Sequence, residues 1–279
     1  MSSDTTSFTN YLRQQTFGVV GAGVMGQTFI KALLNQCGLS PKNLWACSKT
    51  KKTCQHIRET FDIPCEQNPE KFLSNTKVLF ISVKPFQVEF VLESLKRIGL
   101  REDTLIISVV AGKTLYMIQE TLPNNPVIRA MPNTPAVVSQ AMSVICPGKL
   151  ATDADMSFAQ ALFQSVGQCI KLDEHHFDAV TGLCGSGPAY LYLIMEALAD
   201  GGVRVGIPRD IALQIVAQTV LGSATMVGNS GRHPASLRDD VTTPAGCTIA
   251  GLLTLEDGKI RSVLARAVEE ATKTARDLG

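Results

Sequence analysis

Residues 17–26 read Phe-Gly-Val-Val-Gly-Ala-Gly-Val-Met-Gly, a short apolar strand that runs directly into a turn with glycines at positions 21, 23 and 26. This spacing is typical of a βα turn that binds a dinucleotide pyrophosphate. Gly21 permits the tight turn, Gly23 lets the backbone approach the phosphates, and Gly26 lets helix and strand pack closely. A helix over residues 25–35 would direct its N-terminal amides at the phosphates. We therefore expect a dinucleotide site here rather than a purely structural turn.

The composition of the 279-residue chain excludes several classes of protein. Its formal net charge is +1, so charge predicts no attraction to nucleic acid or to a membrane surface. No uninterrupted apolar run approaches the length of a bilayer span, and the polar residues 1–14 are interpreted as a flexible N-terminal tail. Eight cysteines without a CxxC pair, and four histidines without ligand spacing, indicate reduced thiols, a cytoplasmic location and no metal site.

The sequence pattern changes near residue 172. Before it, β-branched runs alternate with helical stretches, which predicts a mostly parallel sheet covered on both faces. The predicted strands are 17–20, 44–47, 78–83, 105–109, 127–130, 142–146 and 169–172, and the helices between them are 50–60, 86–98, 115–122 and 154–165. Long helices follow at 188–205, 209–227 and 260–278. We expect an α/β fold, with an N-terminal Rossmann-like doubly wound domain over 15–172 and an all-α C-terminal domain over 173–279.

The helix that begins at Pro188 is apolar all round, from Ala189 to Met195. Such a helix is buried in a large core or in a subunit contact. About a hundred residues cannot easily hide three such helices, so we expect the C-terminal helices to form a dimer interface. A self-contained helical bundle packed on the first domain remains the alternative.

The residues after the second predicted strand indicate which dinucleotide is bound. An acidic residue at this position would take the ribose hydroxyls of NAD, whereas the 2′-phosphate of NADP needs hydroxyl and cationic partners. Here Ser48-Lys49-Thr50-Lys51-Lys52 follows the strand, with no carboxylate in reach along the sequence. Ser48 and Lys49 would bind the phosphate by charge-assisted hydrogen bonds. We therefore expect NADP(H) to be preferred and NAD(H) to be possible.

Ligands of open parallel sheets bind beyond the carboxyl ends of the strands. Three predicted strands end in suggestive residues: Lys84-Pro85, Val110-Ala111-Gly112 and Met131-Pro132-Asn133-Thr134-Pro135. Small residues would admit the nicotinamide ring, Asn133 and Thr134 offer neutral hydrogen bonds, and Lys84 is placed to contact cofactor or substrate. In the second domain, residues 239–248 lead into a helical stretch whose start would receive a small carboxylate. Ordinary N-capping by Thr248 is the simpler interpretation, and it is compatible with that role.

These segments together resemble the pyrroline-5-carboxylate reductase family. The matching residues run in the family's order over almost the whole chain: Val20–Gly23 with Met25, Val83–Pro85, Ala111-Gly112, Ile128–Pro135, Gly182–Ala189, Ala197–Gly206, His233-Pro234, Leu237, Asp239 and the run ending in Thr248. The resemblance implies NAD(P)H-dependent reduction of 1-pyrroline-5-carboxylate to L-proline, the last step of proline biosynthesis.

The resemblance also assigns roles to individual residues. It implies that the Gly21–Gly26 turn with Val24 and Met25 holds the pyrophosphate, that Asn68 lies on the adenosine side, and that Val83, Lys84 and Ala111 line the nicotinamide half. It places Lys84, Asn133 and Thr248 in the catalytic set. It implies that Gly246, Cys247 and Thr248 bind the substrate, with loop amides on the carboxylate and the Thr248 hydroxyl on the ring nitrogen. A swapped helical dimer, often assembled into decamers, would join one subunit's cofactor domain to its partner's helices.

The loop before Thr248 departs from the family pattern. Where the family usually has Pro-Gly-Gly, this chain has Pro244-Ala245-Gly246, followed by Cys247. If the first of these glycines needs a positive φ, Ala245 strains the loop. A non-catalytic NADP(H)-binding sensor is therefore one alternative function.

A second alternative function is a β-hydroxyacid dehydrogenase. Gly182, Gly185 and Gly187 mimic its glycine turn, but the position of its catalytic lysine holds Leu191. Leucine cannot deprotonate an alcohol, which argues against that enzyme.

Overall fold

The computed structural model describes residues 15–278, and within them it contains one eight-stranded sheet. Its strands are β1 (Phe17–Val20), β2 (Leu44–Cys47), β3 (Cys65–Glu66), β4 (Val78–Ile81), β5 (Leu105–Ser108), β6 (Val127–Met131), β7 (Ala141–Pro147) and β8 (Gly167–Lys171). The spatial order is β3-β2-β1-β4-β5-β6-β7-β8, and every neighbouring pair is parallel except the antiparallel pair β6–β7. The predicted doubly wound α/β fold is confirmed.

Helices connect the strands and then continue without further strands to the end of the described chain. They are α1 (Val24–Asn35), α2 (Lys51–Phe61), α3 (Glu70–Leu73), α4 (Val88–Ile98), α5 (Leu115–Thr121), α6 (Asp153–Gln164), α7 (Phe177–Val180), α8 (Gly187–Arg204), α9 (Arg209–Ser230), α10 (Pro234–Asp240), α11 (Cys247–Asp257) and α12 (Ile260–Asp277). A π-helical turn, Thr181–Gly185, precedes α8.

The seven predicted strands are all present, with ends displaced by up to two residues. The strand β3 was not predicted, because its two residues are too few to leave a periodic pattern in the sequence. It pairs with the end of β2, where Cys47 lies opposite Glu66. The antiparallel β6–β7 pair was also not foreseen. Nine residues, which include the short 3-10 turn Thr134–Val138, separate β6 from β7.

Each face of the sheet carries its own apolar cluster. On one face Phe29 packs against Phe80 and Phe163, with ring centroids 4.5 and 5.1 Å from that of Phe29. On the other face Trp45 stacks on Phe72 at 5.0 Å, and its indole N–H donates to Thr76 Oγ1. Full burial of one such apolar side chain contributes about 1.5–3 kcal/mol to stability. The two clusters explain why the strands read as continuous apolar runs.

The described chain divides into two compact units, and the division differs from the predicted boundary at 172. The first unit extends to Gly185 and takes in the chain again from Ala271, whereas the second covers Ser186–Glu270. Residues 173–185 belong to the first unit because Phe177 is fully buried in the second apolar cluster of the sheet. The predicted tail, residues 1–14, lies outside the described residues.

The second unit exposes much of its apolar surface. In α8 only Ala199 is buried, in α9 only Ala212, and in α11 no residue is buried. Leu193 is 67% exposed and Met226 59% exposed. The sequence contains no uninterrupted apolar run of membrane-spanning length, but α9 is, by length and composition, long and apolar enough to cross a membrane. Exposed apolar surface on this scale indicates a contact that a single chain does not provide.

An ion pair ties the end of the first unit to the middle of the sheet. Arg129 on β6 is buried, and its Nη1 donates to Glu174 Oε1 at 2.8 Å. The guanidinium lies 4.8 Å from the ring centre of Phe177. Its Nε and Nη2 find no partner among the described residues, so Glu174 is its one anionic contact there. The same Glu174 oxygen accepts the backbone N–H of Leu115 at 2.6 Å.

We expect Glu174→Ala to lower the free energy of unfolding by about 2 kcal/mol, because a charged hydrogen bond is lost and a buried guanidinium is left unpaired. Urea denaturation followed by circular dichroism measures the change. Asp173→Ala, at an exposed neighbour, is the control and should change stability little. Equal effects of the two substitutions would contradict the role given to this ion pair.

Candidate functional site

The carboxyl ends of five strands meet along one edge of the sheet. Val20 is in register with Cys47 on one side and with Ile81 on the other. Ile81 is in register with Ser108, and Ser108 with Arg129. The loops beyond these strands therefore emerge side by side. They carry the predicted cofactor residues of the first unit: Gly21, Gly23, Val24, Met25, Gly26, Ser48, Lys49, Val83, Lys84 and Ala111.

The glycine turn has the geometry that a phosphate-binding turn requires. Gly21 has φ +99°, and a Cβ there would lie 2.6 Å from the carbonyl carbon of Ser82. A Cβ on Gly26 would lie 2.1 Å from Gly21 O, so helix α1 approaches the turn as closely as a glycine allows. A Cβ on Gly23 would meet nothing within 4 Å, so the space beside Gly23 is open. The three positions thus suit the three roles inferred from the sequence.

The start of α1 offers unpaired donors beside that open space. Gly23 is the N-cap residue, with extended backbone and no side chain to cap the helix. Val24, the first helical residue, is 67% exposed, whereas Met25 packs against the apolar cluster beneath. The predicted helix start at residue 25 was one residue late. Uncapped amides and the partial positive charge of a helix N-terminus are suited to a pyrophosphate.

Hydrogen bonds from β3 shape the loop after β2. The Ser48 N–H donates to Glu66 O at 3.1 Å, and Gln67 Nε2 donates to Lys49 O at 2.6 Å. The side chain of Lys49 is exposed and forms no ion pair with residues 15–278. The loop backbone is therefore held while the Lys49 ammonium stays available for an anion.

A cavity of about 870 Å³ lies beside this loop. Its lining includes Asn68, Lys51, Arg58 and Lys71, and it also includes Glu66. This carboxylate was not predicted from the sequence, because the strand β3 that carries it was not foreseen. Lys71 bonds Glu66 at 2.9 Å, and this hydrogen bond and charge hold the pKa of Glu66 below its ordinary value. The acid next to β2 is thus neutralised by a lysine.

Asn68 is already engaged within its own segment. Its Oδ1 accepts the backbone N–H of Glu70 at 3.1 Å, and its Nδ2 donates to the Glu70 carboxylate at 3.1 Å. These bonds hold the start of α3 against the cavity. A hydrogen bond from Asn68 to an adenosine would therefore use the donor and acceptor positions of its amide that these two bonds leave free.

Lys84, Val83 and Ala111 lie in the loops after β4 and β5. Lys84 is exposed, precedes the 3-10 turn Pro85–Gln87, and forms no ion pair with the described residues. Val83 and Ala111 are half-buried and pack on the apolar cluster of that face. Two small apolar surfaces and a free cation at one edge suit the nicotinamide half of a dinucleotide.

Asn133 holds the backbone together rather than projecting into open space. Its Oδ1 accepts the N–H of Met142 at 3.0 Å, and its Nδ2 donates to Cys184 O at 3.3 Å. The side chain therefore links the loop after β6 to β7 and to the π-helical turn. Sequence reasoning predicted a residue near the reacting centre but not this bridging role.

The loop between α10 and α11 is the second unit's candidate for an anion site. Gly246 is the N-cap of α11, so the alternative of N-capping by Thr248 is wrong. The hydroxyl of Thr248 has no hydrogen-bond partner within residues 15–278, and Cys247 is exposed. A Cβ on Gly246 would lie 2.3 Å from Thr243 Oγ1. Uncapped amides at a helix start and a nearby hydroxyl are groups that can bind a small carboxylate.

Ala245 adopts the backbone conformation that the sequence analysis singled out. Its φ is +56°, in the left-handed region that costs a residue with a Cβ about 1–2 kcal/mol. The loop therefore keeps the glycine-type turn although an alanine occupies it.

Comparisons with known proteins cover both units. A family model described as pyrroline-5-carboxylate reductase dimerisation matches residues 174–278, and one described as NADP oxidoreductase, coenzyme F420-dependent, matches residues 16–112. The pyrroline-5-carboxylate reductase of Schizosaccharomyces pombe is 42% identical over 94% of this chain and 99% of its own length. That of Pisum sativum is 43% identical, with 94% and 96% covered.

Solved structures of similar proteins agree with these relatives. A Plasmodium falciparum pyrroline carboxylate reductase with NADP bound superposes with a TM-score of 0.87 at 28% identity, covering 96% of this chain and 99% of that chain. A 1-pyrroline-5-carboxylate reductase from Streptococcus pyogenes has a TM-score of 0.85 at 30% identity, covering 94% and 98%.

We expect Ala245→Gly to raise stability by up to about 1 kcal/mol, because relief of the left-handed strain outweighs the added freedom of the unfolded chain. Ala250→Gly, at an exposed position inside α11, is the matched control and should lower stability by about 0.5–1 kcal/mol. Thermal unfolding of the two variants measures the difference. A loss of stability in both would show that the turn at Ala245 carries no strain.

Proposed function

The chain belongs to the pyrroline-5-carboxylate reductase family, and we propose that it reduces 1-pyrroline-5-carboxylate to L-proline, with NADPH as the preferred hydride donor. The resemblance read from the motifs is confirmed by relatives that match along 94% of the chain. The observation that carries the proposed reaction is the start of α11, which carries the Thr248 hydroxyl and which no side chain of residues 15–278 caps. A cyclic imino acid presents one carboxylate and one ring nitrogen to such a site.

The first unit is assigned to the cofactor. The open space beside Gly23 and the uncapped α1 fit a pyrophosphate, and NADP in the Plasmodium falciparum relative supports a pyridine nucleotide here. The preference for NADPH follows from Ser48 and Lys49, with Lys51 as a further cation on the cavity wall. Glu66 does not oppose this assignment, because Lys71 neutralises it.

The chemistry needs little acid–base machinery from the protein. NADPH, when bound, supplies the hydride that the carbon of the C=N bond accepts. The amides of Cys247 and Thr248 hold the carboxylate, and the Thr248 hydroxyl bonds the ring nitrogen and keeps its proton in place. Lys84 adds positive charge at the nicotinamide side, and Asn133 positions the neighbouring backbone. Orientation of the two reactants accounts for most of the acceleration.

We further propose that the exposed helices of the second unit form a homodimer. The dimerisation model covers α8 to α12, including α9, whose apolar surface a second copy of the chain would bury. We therefore favour a partner chain over a membrane for α9. Assembly of dimers into a decamer, a cytoplasmic location and the lack of a nucleic-acid partner stay predictions from the sequence.

The decisive experiment is a spectrophotometric assay of the purified protein with 1-pyrroline-5-carboxylate, run with NADPH and with NADH. Steady, imine-dependent oxidation with a higher kcat/KM for NADPH is the expected result. Normal NADPH binding without turnover would instead support a sensor. Turnover with NADH alone would keep the reaction and overturn the cofactor preference.

We expect Lys49→Ala to weaken NADPH binding roughly tenfold and NADH binding little, because one charge-assisted hydrogen bond to the 2′-phosphate is lost. Dissociation constants from nucleotide fluorescence measure both. Lys52→Ala, at an exposed lysine in the same charged run, is the control. If the preference between the two cofactors is unchanged in Lys49→Ala, the phosphate is held elsewhere.

We expect Thr248→Ala to lower kcat/KM for the imine about 100-fold, because the group that holds the proton on the ring nitrogen is lost. NADPH affinity should stay nearly intact, since Thr248 lies outside the cofactor unit. Thr248→Ser keeps the hydroxyl and should restore most of the rate. Parallel loss of imine turnover and NADPH affinity would refute the assignment.

A further inference from the structure

The loop between β5 and α5 meets the C-terminal end of the chain. Gly112 in this loop is buried and has φ +71°. A Cβ on Gly112 would lie 2.6 Å from Leu278 Cβ and 3.3 Å from Ala275 O. The last turn of α12 therefore rests directly on the backbone of Gly112, one residue after Ala111.

The contact is specific to that last turn. Ala275 is 2% exposed and is the only buried residue of α12, all of which the structure describes. Arg276 reaches Asp178 in α7, with 3.9 Å between Nε and Oδ2. The first unit accordingly includes residues from Ala271 onward. The lack of a Cβ at Gly112 is what allows this close approach.

The rest of the loop is held at its two ends. The Val109 N–H donates to Ile81 O at 3.0 Å, and the Leu115 N–H donates to Glu174 Oε1 at 2.6 Å. Between these anchors Gly112 is supported by the α12 turn, while Val110 is buried in the sheet cluster. The backbone of Ala111 is thus placed by groups that are distant from it in sequence.

We infer that the last turn of α12 is a positioning element for the nicotinamide side of the cofactor site. It acts through Gly112 on Ala111, so Ala275 and Leu278 are positioning residues that touch neither cofactor nor substrate. This inference rests on the reductase function proposed above. It assigns a role in cofactor geometry to a C-terminal segment that the glycine-rich motifs do not include.

The test compares a variant with a large side chain in the last turn of α12 with a variant whose side chain there stays small. Ala275→Leu puts a large side chain at the buried position of this turn and so displaces the turn from Gly112, whereas Ala275→Ser keeps the position small. Dissociation constants are measured for NADPH and for adenosine 2′,5′-bisphosphate, which has the phosphate end of the cofactor and no nicotinamide. We expect Ala275→Leu to weaken NADPH binding and lower kcat/KM for the imine about tenfold each, through misplacement of the loop. Bisphosphate affinity should not change, and Ala275→Ser should behave almost as the parent protein.

Two further variants keep the test decisive. Asp277→Ala, at an exposed residue of the same turn, should leave all three quantities unchanged. Truncation after Thr274 removes the turn instead of crowding it, and should raise the KM for NADPH without affecting the bisphosphate. Unchanged NADPH binding in both Ala275→Leu and the truncated chain would overturn the inference, as would an equal loss of NADPH and bisphosphate binding. If the parent protein binds NADPH but reduces no imine, the proposed reaction is wrong. The dissociation constants for NADPH and for the bisphosphate then still test the positioning role of the last turn of α12.

Discussion

Backbone contact between the glycine turn and the end of β4 is the constraint on which the candidate cofactor site depends. The carbonyl of Ser82 lies where a side chain at position 21 would stand, and Gly21 O lies where one at position 26 would stand. Ser82 Oγ donates to the same Gly21 O at 2.6 Å. Since neither glycine can carry a Cβ without moving the backbone, α1 begins close to the sheet edge. Its uncapped amides then open toward the space beside Gly23.

The polar groups at and around the candidate site fall into two kinds. The side-chain amides of Asn133, Asn68 and Gln67 form hydrogen bonds within the protein, and these bonds hold the loops in place. Lys49, Lys84 and Thr248 have no such partners among the described residues. Unpaired groups of this kind are free to bind a ligand, whereas the first kind decide where those groups stand. Catalysis by orientation requires both.

Several features followed from local pattern, and others did not. The strand–turn–helix at residues 17–35 was predictable because glycine spacing and apolar periodicity are properties of neighbouring residues. The carboxylate of Glu66 escaped notice, since only pairing of the two-residue β3 with β2 brings it beside the loop that follows β2. N-capping of α11 by Thr248 was considered only as an alternative, and the N-cap is Gly246, because helix boundaries are set by backbone hydrogen bonds. Strain at Ala245 was predicted for the case that this position needs a positive φ, and its φ is in fact in the left-handed region.

The sequence by itself determined the fold class, the dinucleotide turn and the family, because these depend on spacings that survive without knowledge of distant contacts. Tertiary structure alone decided which acid lies beside Lys49, what Asn133 bonds, and that residues 275 and 278 rest on Gly112. These contacts join residues separated by between 9 and 166 positions along the chain. Such pairings arise from strand order and helix packing, which no local pattern encodes.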